Sequence, residues 1–329
     1  DSDWPQSWID AFVLWGLEQE RITPAADADP VTLLRRLHLD LTGLPPTPQE
    51  VDAFLADPSP ASYDRVVDRL LASPRHAERL ASWWLDLVRY ADTVGYHGDQ
   101  THSSSPYRDW VIHAFLENMP FDRFTLLQLA GDLVEPVEGE HPDDRMLAAA
   151  YHRLLQTSHE GGIQVKEYRA IYQADRVRNL SEVWLGATLG CAQCHDHKYD
   201  PFTARDFYAM GAFFADIDDE RHMGTGGFGG GTNTLPTTRF PEMAVVSPLE
   251  RARAARLDVE IATVERQLLA LSAEQETEAS AADSEETAEV AALRAQLEAL
   301  QVQRTSLARP VMVTESLETP REVRVVPRG

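Results

Sequence analysis

The chain has 329 residues, 43% of them hydrophobic, which is enough for a substantial core without disulfide staples. Thirty basic against fifty-three acidic side chains leave a net charge of −23, which repels phosphate backbones and anionic lipid surfaces and argues against nucleic acid as a partner. No apolar run reaches the roughly 18–20 residues of a transmembrane helix, so no membrane span is expected within the sequence.

In chain order, the pattern from Trp8 to about Phe214 predicts a mainly α fold, with apolar residues recurring at three and four. Ile9, Phe12, Val13 and Leu17 mark a first helix. Leu33, Leu34, Leu37 and Leu41 mark a second that stops at Gly43-Leu44-Pro45-Pro46. Thr47-Pro48-Gln49-Glu50 combines a threonine N-cap, proline at the first helical position and a glutamate three residues after the cap, the signature of a capping box. Ser73-Pro74 repeats the device before an aromatic helix carrying Trp83, Trp84, Leu87 and Tyr90. Further helices are predicted at 107–118, 122–130, 143–154, 166–190 and 203–215.

Residues 224–239 gather six glycines, from Gly224 to Gly231, around Phe228 and read as a linker or lid. They lack the strand-before, helix-after setting of a phosphate cradle. Over 249–309, Leu257, Ile261, Val264, Leu268 and Leu271 step by four and three, and Val290, Leu293, Leu297, Leu300 and Leu307 continue the seam on a second helix. This predicts an inserted antiparallel coiled-coil hairpin whose acidic tip, Glu274 to Glu289, is solvated. It reads as a spacer or as a docking arm. Val311-Met312-Val313 and Val323-Arg324-Val325-Val326 read as short strands pairing with Met243-Ala244-Val245-Val246. The expected organisation is a helical domain over 1–220, a glycine-rich loop and strand over 221–248, the hairpin over 249–309, and a strand segment over 310–329.

Cys191-Ala192-Gln193-Cys194-His195 has the C-x-x-C-H spacing at which haem c is attached, with two thiols for the porphyrin vinyl groups and a histidine for the iron. Two other readings stay open at this point: a disulfide or redox-active dithiol, and a zinc site recruiting His195 and His197. Zinc would have to pack four ligands into seven residues, since these two cysteines are the only ones in the chain. A thioredoxin-like pair would sit between a strand and a helix, whereas the residues before Cys191 continue a helical pattern.

Several long segments then carry a family resemblance. Arg35-Arg36-Leu37-His38-Leu39-Asp40-Leu41-Thr42-Gly43-Leu44-Pro45-Pro46, Trp84-Leu85-Asp86-Leu87-Val88-Arg89-Tyr90-Ala91-Asp92, Gln128-Leu129-Ala130-Gly131-Asp132 and Gly190-Cys191-Ala192-Gln193-Cys194-His195-Asp196-His197-Lys198-Tyr199-Asp200-Pro201 are similar to the planctomycete cytochrome-c-like domain family, over about Trp4 to Ile217. The resemblance implies covalently attached haem c, a periplasmic or extracellular location, and a further C-terminal domain after a segment like Arg321–Gly329. It supplies no substrate. His38 stands where the family pattern leads one to expect a tyrosine or similar residue.

On this reading Cys191 and Cys194 tether the porphyrin and His195 is the proximal metal ligand, while His197, Lys198 and Tyr199 contact the cofactor. Arg89, Arg108 and Arg176 are candidates to neutralise propionates. Within Thr157-Ser158-His159-Glu160-Gly161-Gly162, His159 and Glu160 place a base beside an acid and are the candidate catalytic pair. Asp86, Asp92, Asp109 and Asp132 are further polar candidates. The expected function is a haem c-dependent oxidoreductase with a pocket over the iron, extracellular carbohydrate being a candidate substrate from the lifestyle of bacteria that carry the family. The alternatives are an electron-transfer domain serving a redox partner or a C-terminal domain of the same protein, and a structural cell-surface module that haem stabilises.

Overall fold

A computed structural model describes residues 4–96, 99–158, 163–218, 221–224, 237–278 and 287–326. The mainly helical expectation holds, with one small antiparallel sheet near the C-terminus. No helix among the described residues is long and apolar enough to cross a membrane.

Two compact units divide at Arg79. The first carries α1 (Trp8–Gln19), α2 (Pro30–Thr42), α3 (Pro48–Ala56), α4 (Pro60–Leu71) and the first part of α5 (Pro74–Leu87). Its helices start where the sequence signals do. Asp29 and Ser59 cap α2 and α4 ahead of a first-turn proline, and Thr47 and Glu50 close the predicted capping box of α3. Leu34, Leu37, Phe54, Leu70 and Ala77 are buried. His38 is buried too, with Nε2 4.0 Å from Glu50 Oε1, and Arg69 holds the same oxygen at 2.8 Å. The apolar positions of α1 find no such cover: none of its residues is buried, and Trp8, Phe12 and Trp15 are each more than 60% exposed.

The second unit continues with α6 (Ser105–Leu116), α7 (Phe121–Ala130) and α8 (Asp144–Ala149), the last tightening into a 3-10 turn over Ala150–Arg153. Then come α9 (Val165–Leu185), a 3-10 turn over Leu189–Gln193, α10 (Ala204–Ala212) and α11 (Arg221–Gly224). Its main core stacks Trp110 on Phe124 at 5.4 Å and sets Trp84 edge-on to both Phe124 and Trp184. Two of the polar atoms this brings inside share one acceptor: Trp84 Nε1 and the Tyr107 hydroxyl both donate to Gln128 Oε1, at 3.1 and 2.6 Å. Strand β1 (Glu242–Val246) pairs antiparallel with β2 (Ala308–Met312), from Glu242 opposite Met312 to Val246 opposite Ala308.

Between those strands run α12 (Arg251–Glu278) and α13 (Ala288–Ser306). Leu257, Val264, Leu300 and Leu307 are the buried seam, lined by Ile261, Leu268, Leu293 and Leu297. An ion pair of 2.7 Å from Arg304 near the end of α13 to Asp258 near the start of α12 fits antiparallel packing. Residues 279–286 of the acidic tip and 225–236 of the glycine-rich loop lie outside the described residues. Two expectations need correction. Val323–Val326 forms no strand, and the partner of β1 extends N-terminally over residues 308–312 because α13 ends at Ser306 and hands the chain directly into the ladder.

Arg153, 1% exposed, joins the helical body to the sheet. Its guanidinium donates to four backbone carbonyls, those of Asp218, Val313, Arg239 and Phe240, at 2.9–3.3 Å. A buried cation is tolerated here because its donors are spent on otherwise orphaned oxygens at both flanks of the strand pair.

Two buried histidines make the unit sensitive to acid. Burial foremost, with the Arg239 guanidinium next for His102, and with Arg176 acting against the opposing Leu129 hydrogen bond for His152, holds each at about 4. The neutral ring is favoured in the fold, so between about 6.5 and about 4 the unfolded chain binds more protons and stability falls as pH falls. Denaturant titrations across that window should show a loss on the order of 3 kcal/mol per histidine. His102→Gln and His152→Gln should each flatten the pH dependence; an unchanged slope in both variants would rule out this assignment.

Candidate functional site

The C-x-x-C-H segment does not lie on the end of a long helix, as the periodicity to Gly190 predicts. Helix α9 stops at Leu185, because Gly186 takes a left-handed conformation (φ +59°) and Ala187 N–H returns to the Ser181 carbonyl at 2.9 Å. The chain then re-enters the body as the separate 3-10 turn. In such a turn residues three apart eclipse one another. Leu189 and Ala192 therefore point into a core with Val177, Phe207 and Phe214, while Cys191 and Cys194 stand together on the outer side. Both cysteines are exposed and no disulfide joins them. Among the described residues no strand precedes the turn, unlike a thioredoxin-like site.

Close approach to α9 fixes this turn. A Cβ on Gly190 would lie 2.6 Å from Arg178 Cγ, so only glycine lets the arginine stem pass. The Arg178 guanidinium then donates to the Gln193 side-chain oxygen, and the Tyr208 hydroxyl of α10 donates to the Gln193 carbonyl at 3.2 Å. The middle of the motif is thus clamped from two helices.

His195 is exposed, and its Nδ1 lies 2.8 Å from the Asp196 carbonyl. A carbonyl only accepts, so Nδ1 carries the proton and Nε2 presents its lone pair outward, the tautomer and second-shell arrangement of a metal-binding histidine. Two exposed cysteines three residues apart and one outward imidazole nitrogen fit the two tethers and the one iron ligand of a covalently held haem. Among the described residues no three His, Cys, Asp or Glu side chains converge to hold a bare metal ion, so the zinc reading gains no support.

His197 is spent differently. Its Nδ1 accepts the N–H groups of Asp200 (2.8 Å) and Tyr199 (3.2 Å), which puts the ring proton on Nε2, 3.0 Å from Thr188 Oγ1. Thr188 caps the motif turn, its carbonyl accepting Cys191 N–H at 3.0 Å. His197 therefore clips the segment after the motif to the residue before it, and neither ring nitrogen is left for a propionate. Asp196 adds a second tie by accepting Ala204 N–H at 2.9 Å from the first turn of α10. Lys198 lies over the Tyr199 ring at 5.0 Å, with Tyr199 83% exposed.

Most of the other candidates have partners outside the motif turn. Arg89 pairs with Asp175 at 2.7 Å, Arg108 with Asp109 at 2.9 Å, and Arg176 is buried with Nε donating to the His152 carbonyl. Asp92 accepts the Tyr90 hydroxyl at 2.6 Å, Asp86 is exposed, and burial raises the Asp132 carboxyl above its ordinary pKa. His159 and Glu160 lie outside the described residues. Sequence reasoning missed Thr188, Arg178, Gln193 and Tyr208, whose roles depend on contacts between segments.

A cleft of about 540 Å³ opens in the same unit, lined by Arg89, Ala91, Thr93, Gly95, Asp99, Leu154, Leu155, Gln156 and Asp175. Asp175 and Arg178 are three residues apart on α9 and so share a helix face, about 4.5 Å apart along the axis. The cleft and the motif turn thus contact neighbouring positions of one helix.

The family model named PSCyt2, described as a protein of unknown function (DUF1549), matches residues 8–219, and the chain belongs to that family. No curated protein and no solved structure matches the chain.

The clip makes its own prediction. His197→Ala should speed hydrogen exchange at the Tyr199 and Asp200 amides by about tenfold or more while leaving the midpoint of global unfolding nearly unchanged, because the loop opens locally. Amides already in fast exchange in the parent chain would contradict the clip.

Proposed function

We propose that this member of the PSCyt2 family is an extracytoplasmic c-type haem protein with redox function, Cys191 and Cys194 forming the thioether tethers and His195 the proximal ligand. The observation that carries the reading is the C-x-x-C-H segment held as an eclipsed turn, both thiols outward and the His195 Nε2 lone pair free to coordinate. Bound there, haem c would supply reversible one-electron chemistry at iron, which none of the twenty side chains provides alone.

The residues of the chain have distinct parts in this scheme. The Asp196 carbonyl keeps the proton on Nδ1 and orients the imidazole. His197 and Thr188 hold the loop closed around the turn, and Arg178 and Tyr208 hold its middle through Gln193. A redox partner or a further domain would exchange electrons at the exposed edge. The periplasmic or extracellular location follows from the haem, since haem c is matured outside the cytoplasm.

A haem-dependent oxidoreductase is favoured over a simple carrier by the cleft on the same face of α9, which a carrier would not need. The test is expression with a haem c maturation system. Acid-acetone-resistant haem should be present in the parent chain and lost in the Cys191→Ala, Cys194→Ala double variant. Its absence from the matured parent would refute the reading. A ferrous spectrum shifted by carbon monoxide would support an open coordination position and the oxidoreductase. A low-spin spectrum that carbon monoxide leaves unmoved would turn the assignment to the electron-transfer alternative.

A further inference from the structure

The cleft beside α9 has features that its packing alone does not require. Three of its lining residues, Arg89 (φ +63°), Gly95 (φ +86°) and Asp99 (φ +43°), have left-handed backbones within eleven residues of chain. For the two that are not glycine this conformation is strained, because the Cβ crowds the following carbonyl oxygen. Arg89 is the more telling. It follows α5 in a stop where Arg89 N–H returns to Asp86 and Tyr90 N–H to Leu85, a place glycine normally fills. An arginine there is kept for its side chain, whose guanidinium reaches Asp175 on α9 at 2.7 Å. Asp99 in turn accepts Gly95 N–H at 2.9 Å, which ties its carboxylate to the backbone of another lining residue.

The lining chemistry narrows the guest. Two carboxylates and one guanidinium leave a net negative wall, in a chain of net charge −23, so phosphates and carboxylates are repelled. A simple cation would compete with Arg89 for Asp175 and leave the Arg89 and Gln156 donors unmatched. Hydroxyl groups both donate and accept, and so match Asp99 and Asp175 on one side and Arg89, Gln156 and Thr93 on the other. Ala91, Leu154 and Leu155 supply an apolar part of the lining. The volume, about 540 Å³, falls within the roughly 300–1,000 Å³ of small-molecule sites.

We infer that this cleft binds a small neutral sugar, its vicinal hydroxyls held by Arg89, Asp99, Asp175 and Gln156 and its C–H face set against Ala91, Leu154 and Leu155. The inference concerns the cleft alone; it stands or falls without haem, and its failure would leave the haem reading untouched. If both hold, the sugar is the ligand class presented to the redox site.

The test is saturation-transfer NMR on the full chain, with methyl glucoside, galactose and cellobiose as neutral probes and glucuronate and glucosamine as charged ones. Saturable transfer to at least one neutral sugar is expected, with weaker transfer to the charged analogues. Arg89→Gly suits the left-handed backbone better than arginine, so the variant should fold at least as well as the parent while binding falls about tenfold or more. Asp175→Asn should weaken binding to a similar extent while keeping the shape of the site. No saturable neutral sugar in the panel, preference for glucuronate or glucosamine, or undiminished binding in both variants would overturn the inference.

Discussion

The left-handed turn at Gly186 sets the position of everything around the motif. A helix continuing from Leu185, as the apolar period invites, would carry the two cysteines around its circumference at 100° per residue and bury one face of the motif wherever the helix packed. Stopping α9 there and restarting as a 3-10 turn lets Leu189 and Ala192 anchor the segment while both thiols and the imidazole face outward. Local geometry and packing then agree. The turn's period of three matches the spacing of the anchors and the spacing of the cysteines alike.

Helix α9 is the common scaffold of the unit's chemistry. Asp175 faces the cleft, Arg178 lies over Gly190 and grips Gln193, and Val177 lies in the core beneath the motif turn. Rigid helices position groups more precisely than loops do, and two sites on one helix keep a fixed separation whatever the surrounding segments do. The stability cost falls on the approaches: a left-handed arginine at the end of α5, buried neutral histidines near the sheet, and a buried guanidinium among carbonyls.

What the sequence made legible was local. The capping box at Thr47, the proline starts and the heptad seam of α12 and α13 each depend on residues within a few positions of one another, and the structure bears them out. The motif was legible for the same reason. The stop of α9 was not, since Ala187 and Leu189 stay in phase with the helix, and it is the left-handed Gly186 and the Ala187 N–H bond to Ser181 that show the period had been abandoned. Nor was the cleft, whose lining comes from residues 89–99, 154–156 and 175 and whose signal is backbone strain rather than composition. Helix α1 is the converse case, since an apolar pattern predicts burial but does not say against what.

The long hairpin leaves and re-enters through paired neighbours, Val246 opposite Ala308, so its two roots stand only about 4.5–5.5 Å apart. To the rest of the molecule such an insertion is topologically a tight β-turn, however many residues it holds. Whole heptads can be gained or lost from the arm without disturbing the ladder at its base, so its length is free to drift while the chemistry below stays in register.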